Sequence, residues 1–212
     1  MIINKPFTSN IDRENHYSTY LHFEGGAVKK FYMRGSIAWP EGKNEGFALM
    51  AGYDLTEDIV IIFEEFPFWT ISHWLKGDQT VMERPEGGYH LGLIQFIVDN
   101  FSKYKCCSYF RGGQHENIWQ RFGQEVYRTT MLPKETELIE VPYVSEIGDG
   151  LILEKLKTQK FKGQTDSDLD KAVKQFYNMQ AAKVDHGNEI MALRALLAGF
   201  EHQSWVDLAG AG

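Results

Sequence analysis

The feature that most constrains this chain is a change of pattern near its midpoint. Before it, apolar residues alternate; after it, helical spacings are interleaved with short strands. His16 to Phe23 alternates, with Tyr17, Thr19, Leu21 and Phe23 on one side, the period of a half-buried strand. Gly25-Gly26 supplies a turn, and Val28 to Arg34 continues through Lys29, Phe31 and Met33. A loop with Pro40, Gly42 and Asn44 leads into Phe47 to Asp54, where Phe47, Leu49, Ala51 and Tyr53 share a face. Leu55 to Asp58 reads as a turn. Ile59 to Phe63 is a continuous apolar run, short enough for a strand buried on both faces. The expectation is a four-stranded antiparallel meander whose last hairpin turns at 55–58.

The second half alternates. Residues 76–90, with Gly77, Asp78, Pro85, Gly87 and Gly88, read as an exposed loop. Ile94, Ile97, Val98 and Phe101 predict an amphipathic helix over 91–104. Cys106 to Phe110 is a short strand, Gly112-Gly113 breaks it, and Ile118, Trp119, Phe122 and Val126 mark a helix over 116–128. Leu138 to Val144 reads as a strand placed at an edge by Pro142. Residues 151–161 are ambiguous. Leu169, Val173, Phe176 and Gln180 mark another helix, with Asp166 or Ser167 as its cap. Ile190, Leu193, Leu197 and Phe200 carry a last one from about Glu189 to Glu201. Helices interleaved with strands imply parallel pairing. The expected fold is therefore α/β: a mixed sheet, an antiparallel meander followed by alternating helices and strands, with helices on both faces.

Composition excludes whole classes. With 212 residues, 43% of them hydrophobic and 14% aromatic, a chain buries roughly 70% of its extended surface and needs no covalent staple. No apolar run approaches the roughly 18–20 residues of a membrane span, and no basic–apolar leader opens the sequence. The two cysteines, Cys106 and Cys107, are adjacent. Strand neighbours point to opposite faces, so they suit neither a disulfide nor a zinc pair. A reducing, cytoplasmic setting without membrane contact is the expectation. A net charge of −7 argues against a protein that coats nucleic acid by charge alone.

Two acidic groups could carry chemistry. Asp54 closes a strand that reads as central, and an unpaired carboxylate is costly to bury there. A divalent metal would neutralise it, since Mg²⁺ and Mn²⁺ prefer carboxylate oxygens. Equally, Asp54 and Asp58 could make a hairpin turn through local hydrogen bonds. Asp185-His186-Gly187-Asn188-Glu189 opens the last helix. These acids could face Asp54, or Asn188 and Glu189 could serve as cap and dipole partner.

The turn Arg111-Gly112-Gly113-Gln114-His115 offers backbone N–H groups and a guanidinium that could hold a phosphate, or it is an ordinary strand-to-helix turn. His115 is a candidate base or ligand, although the seven histidines show no zinc spacing. Lys155, Lys157, Lys160 and Lys162 form a positive stretch that is either a solvated face or a strip along a nucleic-acid backbone. The aromatic run Phe63, Phe66, Phe68, Trp69 and Trp74 reads as core or as a stacking surface. No Gly-x-Ser-x-Gly, His-Glu-x-x-His, Gly-x-Gly-x-x-Gly or P-loop signature occurs.

This order of elements resembles the ribonuclease H-like fold, most of all the nuclease domain of phage large terminases. The resemblance runs over 45–200. It takes in the Asp-bearing strand Ala48 to Asp54, the return strand Ile59 to Phe66, the helix and strand alternation, and the closing segment DHGNEIMALRALLAGF. It divides the chain into N-terminal strands over 1–44, a ribonuclease H-like domain over 45–204 and a tail over 205–212. It implies a metal-dependent DNA endonuclease with two Mg²⁺ or Mn²⁺ ions. Asp54, Asp185 and Glu189 would be its carboxylates and Glu116 a displaced fourth. Arg111, Gly112, Gly113, His115, Lys160 and Lys162 would contact DNA. It also implies a partner, a separate packaging ATPase or other phage protein. The family's strand-end carboxylate is absent here, where Arg111-Gly112-Gly113 stands. The alternative is a non-catalytic, phage-type structural or docking protein of the same fold.

Overall fold

A computed structural model describes residues 7–11, 18–39, 45–68, 81–83, 89–91, 93–106, 108–112, 137–141, 144–179 and 187–209. Its strands are β1 (Phe7–Ile11), β2 (Ser18–Phe23), β3 (Val28–Ala38), β4 (Gly46–Asp54), β5 (Ile59–Phe68), β6 (Val81–Glu83), β7 (Tyr89–Leu91), β8 (Ser108–Gly112), β9 (Glu137–Val141) and β10 (Phe161–Lys162). Its helices, numbered in order, are α1 (Leu93–Tyr104), α2 (Val144–Lys157), α3 (Asp168–Asn178) and α4 (Asn188–Ala209).

Strands β1 to β5 form one antiparallel meander, so the expected four strands gain a fifth at the start. The strands that precede residue 45 are hydrogen-bonded into the same sheet as those that follow it. Along one edge β3 gives its first half to β2, Ser18 facing Tyr32, and its second half to β8, Gly35 facing Tyr109. Strand β8 runs parallel to β3, β9 parallel to β8, and β10 parallel to β5. The order β5-β4-β3-β8-β9 is three antiparallel strands followed by two parallel ones across the first. That is the mixed α/β sheet expected from the sequence.

Alternation sorts the side chains into two cores because successive strand residues face opposite ways. Phe31, Met33, Ala48, Met50, Ile61 and Phe63 pack against Leu93, Phe96 and Ile97 of α1. Leu49, Ala51, Val60, Ile62 and Phe110 pack against α2, α3 and α4. The aromatic run is core where it is described: Phe63 and Phe68 are buried, and Phe66 stacks on Phe96. Trp69 and Trp74 lie outside the described residues.

The structure differs from the sequence reading at three places. Strand β3 runs on through Arg34, Gly35 and Ser36 to Ala38, because these polar residues are themselves buried between neighbours. The segment read as a loop over 76–90 contains the β6–β7 hairpin. Helix α2 occupies part of the ambiguous stretch despite Gly148 and Gly150. A Cβ on Gly148 would stand 2.7 Å from the Arg194 side chain, so glycine there lets α2 and α4 touch. The helix expected over 116–128 lies outside the described residues.

Candidate functional site

The sheet has two edges where polar groups gather, and the candidate residues divide between them. One is the turn edge, formed by the β4–β5 hairpin. Asp54, 5% exposed, ends β4. Its Oδ1 accepts hydrogen bonds from the backbone N–H groups of Thr56 at 3.0 Å and Glu57 at 3.2 Å. Its Oδ2 pairs with Lys29 Nζ at 3.2 Å. The hydrogen bond to Glu57, outweighing burial and helped by Asp54, holds the Lys29 ammonium above its ordinary pKa.

Asp58 sits in the left-handed region with φ 52°, a conformation that aspartate tolerates in turns. Its Oδ1 accepts from Lys155 Nζ at 2.6 Å and from the Tyr53 hydroxyl at 2.7 Å, and its Oδ2 from Lys160 Nζ at 3.2 Å. Partial burial works against ionisation. The Lys155, Tyr53 and Lys160 hydrogen bonds overcome it and bring the carboxyl down to about 2. Burial, with the neighbouring Asp58 charge, pushes the Tyr53 phenol up.

The other edge holds the carboxyl ends of the parallel strands. The chain leaves β3 for β4 on one side, while β8 lies on the other, which makes a topological switch point of the kind where open α/β sheets bind ligands. Strand β8 ends in Arg111 and Gly112, and Arg111 Nη2 donates to Glu140 Oε2 on β9 at 2.7 Å. The side-chain amide of Asn188, at the start of α4, donates to the Glu45 carbonyl beside the start of β4. Glu189 stands in the first turn of that helix.

Strand β4 lies between the two edges. Its nine residues span about 27 Å at the usual rise. Asp54 is at its far end and the Asn188–Glu45 contact at its near end, so Asp54 and Glu189 do not meet. Lys160 and Lys162 belong to the turn edge, because β10 pairs with Val60 and Ile61. They are therefore separated from Arg111 and Gly112, and the expected DNA-contact set is split. Lys160 is also engaged with Asp58 and the Glu57 carbonyl. Gly113, His115, Glu116 and Asp185 lie outside the described residues.

The strand that carries β4 on one side and parallel β8 on the other is β3. Its eleven residues, VKKFYMRGSIA, include no carboxylate. The oxygens of Asp54 are taken by two N–H groups and an ammonium, which does not fit a pair of Mg²⁺ or Mn²⁺ ions. Among the described residues no group of three or more His, Cys, Asp or Glu could hold a metal. Lys29 and Lys155 are the partners that the sequence reading missed. The antiparallel β3–β4 register, which the meander implied, brings the start of β3 beside the end of β4 and with it Lys29.

Neither family models nor curated proteins match the chain. Among solved structures it is similar to the crystal structure of the yeast mitochondrial Holliday junction resolvase. The two are 11% identical with a TM-score of 0.39, covering 77% of this chain and 75% of that one. Among the described residues no helix is long and apolar enough to cross a membrane.

Proposed function

We propose that this chain is a non-catalytic, ribonuclease H-like docking module, a degenerate form of a nuclease fold. One observation supports it above others. The carboxylate on which metal chemistry would depend, Asp54, accepts two turn N–H bonds and a Lys29 ion pair. A carboxylate so engaged builds a hairpin. The docking edge of this reading is the carboxyl end of β8 and β9, where the Glu140 side chain is exposed beside Arg111.

The rival reading is a metal-dependent DNA endonuclease of the terminase type, a phage protein working beside a packaging ATPase. The strand order favours it. It would have to draw its carboxylates from Glu189, Asp185 and Glu116 without Asp54.

Thermal melting with and without millimolar Mn²⁺, on wild type and Asp54→Asn, separates the two. The docking module predicts that Asp54→Asn melts lower in metal-free buffer, that Mn²⁺ stabilises neither protein, and that neither nicks plasmid DNA. A Mn²⁺-dependent rise that Asp54→Asn abolishes would overturn the proposal, because only binding to the folded state raises the melting temperature. So would metal-dependent nicking.

A further inference from the structure

Strand β9 lies at an edge of the sheet. Among the described residues it pairs with β8 alone, so no described strand takes the backbone N–H and C=O groups on its other side. Such a row is a template for a further strand. Its sequence, ELIEV, runs acidic, apolar, apolar, acidic before Val141. Leu138 joins the α1 core and Ile139 the core against α2, α3 and α4, yet both are only partly buried. The sheet therefore stops with apolar surface partly uncovered on both of its faces.

Two acids flank that surface. Successive strand residues alternate, so Glu137 and Glu140, three apart, point to opposite faces. Glu140 is 57% exposed at its side chain and accepts from Arg111 on β8. Glu137 is exposed, and its described partner is the neutral Ser108 hydroxyl at 3.5 Å. A carboxylate has lone pairs for more than one donor, so both acids can take a cation from beyond the edge. A second copy of β9, paired in register, would instead set glutamate against glutamate, which a sheet disfavours. The net charge of −7 likewise favours a basic partner over a second copy.

When a peptide adds to a sheet edge, main-chain hydrogen bonds give the affinity and the side chains set the specificity. We infer that the β9 edge takes up an extended segment of a partner protein whose sequence reads basic, apolar, apolar, basic. Its cations meet Glu137 and Glu140, and its two apolar residues extend the cores at Leu138 and Ile139. The pattern is the same in either strand direction. This names the partner of the docking reading and rests on it.

The experiment is a protein-observed NMR titration following the Leu138, Ile139 and Glu140 amides, on wild type and on the double variant Glu137→Gln, Glu140→Gln. The probes are acetyl-Thr-Lys-Val-Val-Lys-Thr-amide and the rearranged acetyl-Thr-Val-Lys-Lys-Val-Thr-amide, equal in composition and charge. Wild type should bind the first with a Kd below about 1 mM and the second about tenfold more weakly. The double variant should bind the first about tenfold more weakly than wild type does, since two exposed ion pairs are lost. At saturation, hydrogen exchange should slow at the β9 amides that face away from β8, which contact through side chains alone would not do. Four results each overturn strand addition: no saturable wild-type shift up to about 5 mM of the first peptide, equal binding of the two peptides, equal binding by the two proteins, or unaltered exchange. If the double variant fails to fold, the contrast between the peptides in wild type decides. Metal-dependent nicking would strike the docking reading itself, whereas failed titrations without nicking strike strand addition alone.

Discussion

The turn edge and the carboxyl edge of the same sheet use their charges in opposite ways. At the turn edge Asp54 and Asp58 are locked to Lys29, Lys155 and Lys160, and α2 is tied by Lys155 to the β4–β5 hairpin. At the carboxyl edge Arg111 meets Glu140, whose side chain is 57% exposed, and α4 begins over the entry to β4. Paired acids in a dense hairpin build structure. At the carboxyl edge the exposed member of the pair is the Glu140 carboxylate. An acidic residue at a strand end is thus ambiguous until it is known which end of the sheet it occupies.

The largest expected effect comes from breaking the frame that relates the two edges. Helix α4 starts at the carboxyl edge and reaches the turn edge, where Phe200 packs on Tyr53 with ring centroids 5.4 Å apart. It crosses β8 where Gly199 meets Phe110, and a Cβ there would stand 2.3 Å from the ring. Gly199→Ala must lift the helix or push Phe110 aside. It should cost about 3 kcal/mol in denaturant unfolding. A loss below about 0.5 kcal/mol would mean that the helix does not sit so closely on β8.

Next comes Asp54→Ala, which leaves two turn N–H groups without their acceptor and the Lys29 ammonium with Glu57 alone. A loss of about 2 kcal/mol is expected, unaltered by divalent metal. Equal stability of the variant and wild type would show that the hairpin does not need this carboxylate.

Much of this frame was legible in the residues, and the failures have physical causes. Phe47, Leu49, Ala51 and Tyr53 do share the face that meets α2, α3 and α4, and Ser167 does cap α3 by accepting from the Asp170 N–H, because alternation and capping are local effects. Local patterning ends strand β3 at Arg34, since it treats Arg34, Gly35 and Ser36 as an exposed break. Only the parallel β8 beside it makes Arg34, Gly35 and Ser36 interior. Helix α2 was hidden because Gly148 lowers local helix preference while serving a contact with Arg194, 46 residues away in sequence by its number. The candidate site suffered most. Asp54 is acidic, buried and at a strand end, as a metal ligand would be. The choice between turn and metal depends on Lys29, which only the pairing of β3 with β4 brings to Asp54.

A titration sharpens the comparison without disturbing the fold. Because the Asp58 carboxyl is held at about 2 in place of the ordinary 3.8, its native contacts stabilise the protein above that ordinary value and are lost as pH falls through the depressed one. The melting-temperature gap between wild type and Asp58→Asn should be constant from pH 7 to 5, then close between the two values named. A gap that persists unchanged below pH 2 would assign the stabilisation to turn geometry and not to the ion pairs with Lys155 and Lys160. Because Asp58 is 46% exposed at its side chain, added salt should shrink the gap as well.

The smallest effect belongs to the carboxyl edge, and its smallness is the point. Arg111 and Glu140 face each other directly across β8 and β9, yet the carboxylate partner is largely in water. An exposed pair of this kind contributes from zero to about 1 kcal/mol. Glu140→Gln should therefore unfold within about 0.5 kcal/mol of wild type. The same change frees the Arg111 guanidinium from its pairing with Glu140. If this edge docks a ligand, Glu140→Gln should alter binding while leaving stability alone, whereas Lys155→Met at the turn edge should lower stability while leaving binding alone. A Glu140→Gln protein destabilised as much as Lys155→Met would erase the distinction between the edges, since both would then be structural.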